Sequence, residues 1–287
     1  MMTSTRTRPA RRTKDVYTID LPHAELVVDV WQAQQPTDAT PILLVHGWGG
    51  TGNYWKQTAF ALSETATVYV PDLPGTGRSQ PVSEAQNMFD QVATIARLLD
   101  EFQLDRVQIV GHSMGGAMSV LLSAEQPERV ERLVLTSLTF FMTREQEEIY
   151  ARVMNAFELT MRFRPKWLAK VPGMTRVMGT QYFYRLPDDD ALLQQGLQDY
   201  LDLDKPTAMA CAKNATDIRI KNAGAHIQAP TLLIAARQDN MMPLENVDFT
   251  LDIIPDSDVY WIEECGHLPM VEKPDEYIAI LRDFLVL

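Results

Sequence analysis

The stretch that most constrains the fold is Arg106-Val107-Gln108-Ile109-Val110-Gly111-His112-Ser113-Met114-Gly115-Gly116. An apolar, β-branched run feeds Gly-x-Ser-x-Gly, and Ala117-Met118-Ser119-Val120-Leu121-Leu122 then continues in residues that suit a helix. Strand, sharp turn, helix is the context that gives the motif meaning. The serine is forced into a tight backbone conformation, and its hydroxyl projects off the C-terminal edge of a sheet beside a helix N-terminus. Glycines two residues to either side leave room for the turn. Gly-x-Ser-x-Gly alone is a weak signal, so the rest of the chain must supply partners.

The surrounding sequence repeats the same rhythm. Tyr17–Leu21 and Glu25–Trp31 alternate around Pro22-His23 and read as an antiparallel hairpin. Pro41–Val45 and Thr67–Val70 are continuous apolar runs, the pattern of strands covered on both faces. Val130–Leu135, Thr231–Ala236 and Val259–Ile262 read as further strands. Between them, Tyr54–Ser63, Ala85–Phe102 and Asp275–Leu285 read as helices; the second has Phe89, Val92, Ile95, Ala96 and Leu99 at helical spacing. Pro274 stands at the favoured start of the last. Strands alternating with helices mean βαβ units and a mostly parallel sheet. Residues 138–228 break the rhythm: they are helix-like, carry Met142, Met154, Met161, Met174, Met178 and Met209, and are divided by Pro165, Pro172, Pro187 and Pro206. They are expected as a helical insertion over the C-terminal edge of the sheet.

Charge narrows the partners. The net charge is −12, unevenly spread. Residues 1–15 hold five basic side chains against Asp15 and read as a solvated basic arm; with no apolar core after it, a secretory signal is not expected. Residues 138–228 hold 12 basic and 11 acidic side chains, so the remainder, with 9 basic and 26 acidic, is strongly acidic. Such a body repels nucleic acid. No run reaches the roughly 18 apolar residues of a membrane span. Cys211 and Cys265 do not make a disulfide framework, so a reducing, cytoplasmic setting is the default expectation.

A serine hydroxyl needs a base to act as a nucleophile, and the base needs an orienting group. Of the five histidines, His23 and His226 are distant in pattern. His46 precedes the glycine loop His46-Gly47-Trp48-Gly49-Gly50 and is expected to brace it. His112 adjoins the serine, but its side chain should point away from it. His267 follows the last strand, at the edge where open α/β sheets bind ligands, and is the candidate base. Asp239, after strand Thr231–Ala236, is the candidate acid. The rival position after Val130–Leu135 holds Thr136 and Ser137, and Glu263 and Glu264 would have to fold back. The order Ser113, Asp239, His267 is that of one hydrolase class. The backbone N–H groups of Met114 and Trp48 are the candidate oxyanion donors, which leaves both side chains to shape a substrate pocket. The chemistry calls for no metal and no organic cofactor.

These elements, with Asp72-Leu73-Pro74-Gly75-Thr76-Gly77-Arg78-Ser79 and Gly266-His267-Leu268-Pro269, resemble the α/β-hydrolase fold superfamily from Tyr17 to Leu287. The resemblance implies an eight-stranded, mostly parallel sheet flanked by helices. Residues 16–137 and 229–287 would form the core, and 138–228 a helical cap inserted between strands six and seven. It also implies structural roles for Asp72 and Arg78. Ser113 sets the chain apart from relatives with aspartate at that position. Gly-His-Ser-Met-Gly-Gly looks like the elbow of small esterases, lipases, thioesterases and cofactor-free haloperoxidases; carbon–carbon bond hydrolases often have asparagine where His112 stands. The expectation is a serine hydrolase of carboxylic esters with an apolar acyl or alcohol part. Thioester, carbon–carbon and perhydrolysis chemistry, and a non-catalytic ligand-binding role, stay open. A methionine- and aromatic-rich cap would make a deformable apolar pocket, though most of these residues are expected to pack the cap's own core. The run Arg162–Lys170 could make transient contact with an anionic membrane surface.

Overall fold

A computed structural model describes residues 14–35, 38–161 and 164–287. Eight strands form one sheet: β1 (Lys14–Asp20), β2 (Glu25–Trp31), β3 (Ile42–Val45), β4 (Val68–Asp72), β5 (Val107–His112), β6 (Val130–Thr136), β7 (Thr231–Ala236) and β8 (Ser257–Ile262). Their spatial order is β1-β2-β4-β3-β5-β6-β7-β8. β1 pairs antiparallel with β2, and β2 with β4; every other pair is parallel. The sheet is therefore mostly parallel, as the alternating strands and helices predict. Strand β1 already includes Lys14, the first described residue, and Lys14 pairs with the Asp29 carboxylate across the hairpin. The rest of the expected basic arm, residues 1–13, lies outside the described residues.

Helices cover both faces. They are α1 (Lys56–Leu62), α2 (Met88–Glu101), α3 (Met114–Glu125), α4 (Arg144–Met161), α5 (Met174–Gly179), α6 (Asp190–Asp202), α7 (Lys205–Lys213), α8 (Ile218–Gly224), α9 (Val247–Ile253), α10 (Pro269–Glu272) and α11 (Pro274–Phe284). The period-two alternation of a strand sends successive side chains to opposite faces. Leu43 and Val45 of β3 join Ile109, Leu133 and Leu233 beneath α2 and α3, whereas Ile42 and Leu44 join Val110, Val134 and Ile234 beneath α1 and α11. Both faces are thus apolar, which is why these strands read as unbroken hydrophobic runs. α2 starts at Met88 rather than Ala85 because Asn87 caps it. The Asn87 side chain accepts from the N–H groups of Phe89 (2.8 Å) and Asp90 (3.3 Å), while the Asp90 carboxylate accepts from Asn87 N–H (2.8 Å).

The segment between β6 and β7 carries α4 to α8. It has a small core of its own, Met161, Leu203, Ala208 and Met209, against which Trp48 and Tyr200 pack. Among the described residues no helix is long and apolar enough to cross a membrane. The end of β4 is fixed by charge. Asp72 accepts from Gly52 N–H (2.8 Å), Arg78 N–H (3.0 Å) and the Arg78 guanidinium (2.7 Å), and the same guanidinium reaches Asp29 (2.6 Å). Burial raises the Asp72 carboxyl pKa, but the Arg78 hydrogen bonds and charge outweigh it and hold the group below the usual carboxylate range. Asp72 therefore orders its own turn and, through Gly52, the end of the glycine loop as well.

Candidate active site

Ser113 lies between β5 and α3 with φ 52° and ψ −120°. For a residue with a side chain this backbone costs on the order of 1–3 kcal/mol and persists only where the surroundings enforce it. They do so here. Ser113 N–H donates to the carbonyl of Thr136 in β6 (2.8 Å), and Ser113 C=O accepts from Gly116 and Ala117 (2.9 and 3.2 Å). A Cβ on Gly115 would run into the carbonyl oxygens of Val45 and His46. A Cβ on Gly47 would lie 3.1 Å from Ser113 Cβ and 2.8 Å from His112 Nδ1. The two glycines let the loop after β3 lie directly against the serine.

The loops after β7 and β8 are tied to each other. Gln238 N–H donates to the Cys265 carbonyl, the Gln238 side chain accepts from Cys265 N–H, and Arg237 N–H donates to Ile262, each at 3.0 Å. This lacing brings Asp239 to His267: Nδ1–H of the imidazole donates to Asp239 Oδ2 at 2.8 Å, with both side chains buried. The other carboxylate oxygen accepts from the N–H groups of Met241 (2.8 Å) and Met242 (3.3 Å), which fixes the plane of the acid. With Nδ1 committed, a neutral imidazole presents Nε2 as an acceptor. Glu263 and Glu264 are engaged elsewhere, with Arg237 (3.3 Å) and Arg185 (3.0 Å).

The His267 loop rests on the segment between β6 and β7. His267 N–H donates to the Tyr182 carbonyl (2.7 Å). Glu272 accepts from Gly266 N–H (2.8 Å), Tyr184 N–H (3.2 Å) and Arg185 N–H (2.5 Å). Neither Tyr182 nor Glu272 has a sequence signature, because the one acts through its carbonyl and the other reaches across loops remote in the chain.

Two other histidines are structural, and their proton positions follow from their neighbours. His46 Nε2 accepts from Leu73 N–H (3.0 Å), so Nδ1 carries the proton and donates to Gly47 C=O (2.9 Å). This is the brace expected of it. In a trans peptide C=O and N–H point opposite ways. Pinning the Gly47 carbonyl towards His46 and Gly50 N–H (3.2 Å) therefore aims the Trp48 N–H the other way. His112 Nε2–H donates to the His267 carbonyl (2.9 Å), so its Nδ1 accepts from Tyr54 Oη–H (3.0 Å); Tyr54 Oη in turn accepts from Gly47 N–H (2.5 Å). One chain of hydrogen bonds thus runs from the glycine loop through Tyr54 and His112 to the His267 backbone. Sequence reasoning did not single out Tyr54. Burial, with the nearby His267 and His46, pushes the His112 pKa well down; burial lowers that of His46 and raises that of Tyr54, so all three are neutral at pH 7. His23 pairs with Glu84 (3.3 Å) and His226 bonds to Asn222 C=O (2.9 Å).

Trp48 is anchored: its indole Nε1–H donates to the Ala208 carbonyl of α7 at 2.7 Å. Its side chain also lines a small cavity with Met114 and Met118 of α3 and with Leu203, Thr207, Ala208 and Cys211 from the segment between β6 and β7. The methionines of residues 138–228 do not line it. Met161 and Met209 are buried in that segment's own core, Met142 is exposed, and none of the six borders this cavity. Of the run Arg162–Lys170, residues 162–163 lie outside the described residues. Arg164 donates to the carbonyls of Tyr200 and Leu203, and Lys166 pairs with Asp202 (2.6 Å). These two cations bind the end of α6. Cys211 and Cys265 are free, buried thiols, each pushed up to about 12, first of all by burial. Among the described residues no cluster of three or more His, Cys, Asp or Glu could hold a metal ion.

A family model described as alpha/beta hydrolase fold matches residues 40–274. The 2-hydroxy-6-oxo-2,4-heptadienoate hydrolase of Pseudomonas putida is 30% identical over 264 residues, spanning 85% of this chain and 88% of that protein. The pimeloyl-[acyl-carrier protein] methyl ester esterase of Aliivibrio fischeri is 23% identical over 269 residues, spanning 89% and 96%. Among solved structures, a hydrolase from Pseudomonas aeruginosa superposes with a TM-score of 0.80 at 18% identity, covering 95% of this chain and 99% of that one. A thermophilic esterase from Thermogutta terrifontis gives 0.74 at 24%, covering 96% and 98%.

Proposed function

The chain belongs to the α/β-hydrolase fold family, and we propose that within it the chain is a serine hydrolase of carboxylic esters that carry an apolar part. The observation that carries the reading is the buried His267–Asp239 hydrogen bond of 2.8 Å, at the same sheet edge as a serine held at positive φ. In this reading Ser113 Oγ attacks the ester carbonyl carbon as His267 Nε2 takes its proton. Asp239 holds the imidazole and stabilises its charged form. The N–H groups of Met114 and Trp48 receive the negative charge on the carbonyl oxygen. The carbon–alkoxy bond then breaks, and the proton passes from His267 to the departing alcohol. A water, deprotonated by His267, attacks the acyl-serine ester. The tetrahedral adduct collapses, the proton returns to Ser113 Oγ, and the acid is released. Residues 138–228 act as a cap over the site, with 16–137 and 229–287 as the hydrolase core.

The test is hydrolysis of p-nitrophenyl butyrate by wild type and Ser113→Ala, with labelling by a fluorophosphonate. Wild type should hydrolyse the ester and take the label. The variant should lose on the order of 10⁶ in turnover and stay unlabelled. Full activity in the variant would refute the role of Ser113. An unlabelled wild type would favour the ligand-binding alternative. A second reading, hydrolysis of a 2-hydroxy-6-oxo-dienoate, is favoured by the relative at 30% identity. Turnover of that compound with esters left untouched would select it.

A further inference from the structure

We infer that the cavity beside Trp48 and Met114 is the acyl subsite, and that it admits short acyl groups of about two to four carbons. The inference rests on the serine-hydrolase reading and adds the substrate class. The cavity borders Gly47 and Met114, the residues that flank Ser113 in space and in sequence. Its walls come from the glycine loop, the turn at Leu73–Thr76, α3 and α7. None of the groups gathered around His267 (Asp239, His112, Tyr182) contributes to it. Ser113 itself is not one of its walls, so the cavity lies beyond Gly47 and Met114, apart from the residues that hold the imidazole. The leaving oxygen must come within hydrogen-bond reach of His267 to be protonated, so the alcohol lies on the imidazole side. The acyl chain is left with the space apart from those residues, where this cavity stands.

Size follows from the walls. The cavity holds about 30 Å³, where a single water needs roughly 10–15 Å³. There is room for about two or three heavy atoms. Its walls are set, which limits adjustment. Trp48 is fixed to Ala208 C=O at 2.7 Å. Met118, buried, lies four residues beyond Met114, or about 6 Å deeper along α3. Leu203, also buried, packs with Ala208 and Met209. The larger apolar part of a substrate must then be its alcohol.

The experiment holds the leaving group constant: p-nitrophenyl esters from acetate to decanoate, on the full chain. Wild-type kcat/KM should peak between acetate and butyrate and fall at least tenfold by octanoate. Met118→Ala removes three heavy atoms and should move the optimum about three carbons longer. Ala208→Val adds two heavy atoms without removing the carbonyl that holds Trp48, and should narrow the profile towards acetate. Equal turnover of butyrate and decanoate by wild type, or an optimum unmoved in whichever of the two variants folds, would overturn the subsite. Ser113→Ala separates the two readings. Hydrolysis that survives it sinks the serine mechanism, whereas Ser113-dependent hydrolysis peaking on long chains sinks the subsite alone.

Discussion

Replacing Tyr54 by phenylalanine removes one oxygen atom and breaks the link between the two halves of the proposed site. That oxygen accepts from Gly47 N–H and donates to His112 Nδ1. Without it a backbone donor and an imidazole acceptor both lose their partner, at about 1–3 kcal/mol each when buried. Both orphaned groups sit on buried residues, and the lower end of that range for each gives about 2 kcal/mol. For a chain of this size that corresponds to a fall in Tm of roughly 4–8 °C. The kinetic effect is separate. Losing one oxyanion donor outright costs about 10²–10³ in turnover. The variant keeps the Trp48 N–H and the His46 brace on Gly47 C=O, and loses only the second clamp on that residue. The expected fall in kcat is therefore partial, about tenfold, with KM unchanged because Tyr54 does not meet the substrate. Steady-state kinetics on p-nitrophenyl butyrate and a thermal melt measure both. His112→Gln breaks the same chain, so the double variant should fall short of the product of the two single effects. A kcat within twofold of wild type beside a lowered Tm would refute the reasoning and leave Tyr54 as packing alone.

Asp239→Asn should keep the fold and lower kcat by about 10⁴, because an amide cannot hold the imidazole in the required tautomer or stabilise its charged form; steady-state rates with a circular dichroism control check it. Stability should fall on acidification. Burial holds the pKa values of His46 and His112 below those of an unfolded chain, so below about pH 6.5 the unfolded state binds more protons. Each histidine then removes up to about 1.4 kcal/mol per pH unit until its folded-state pKa is reached. Tm measured from pH 7.5 to 5 should drop, and His112→Gln should flatten the drop; an unchanged slope would contradict the assignment of His112. Arg78→Ala strips the guanidinium from two buried carboxylates. It should cost about 2–3 kcal/mol, below the usual 3–5 for a buried pair, since Asp29 keeps Lys14 and Asp72 keeps two backbone donors; urea denaturation reads it. Asp199→Ala removes the acceptor that Thr51 (2.7 Å), Asn53 (3.1 Å) and Gln195 (2.8 Å) share, so amide exchange in α6 should quicken relative to α3.

The inner strands of the sheet were legible because they are buried on both faces and read as unbroken apolar runs, and the outer hairpin because it alternates. The placing of Asp239 and His267 was legible because each follows a strand at the edge where open α/β sheets present loops. Helix starts were less so: α2 begins only where the Asn87–Asp90 pair can cap it, a local exchange that hydrophobic spacing does not register. Tyr54, Glu272 and Gln238 stayed hidden for a different reason. Each contacts backbone groups of another loop, so no pattern of residue types betrays the pairing. The methionines of residues 138–228 admit two readings, the lining of a pocket and a core for the segment itself. Their composition suggests a deformable pocket, but that segment must also bury a core of its own, and Met161 and Met209 are spent on it.

The two loops beside Ser113 show why backbone contacts govern the site. In the proposed mechanism the oxyanion is held by N–H groups of Trp48 and Met114, and no choice of side chain at those positions can aim a peptide plane. Aim has to come from whatever grips the peptides: His46 on Gly47 C=O, Tyr54 on Gly47 N–H, and α3 on Met114. His267 is subject to the same constraint, since its own C=O and N–H are held by His112 and Tyr182. His112 contacts His267 through that carbonyl and the glycine loop through Tyr54, so a shift in one loop is felt by the other. In the proposed mechanism the histidine beside Ser113 thus serves the site without exchanging a proton, and its burial, which keeps it neutral, preserves the Nδ1 acceptor that Tyr54 requires.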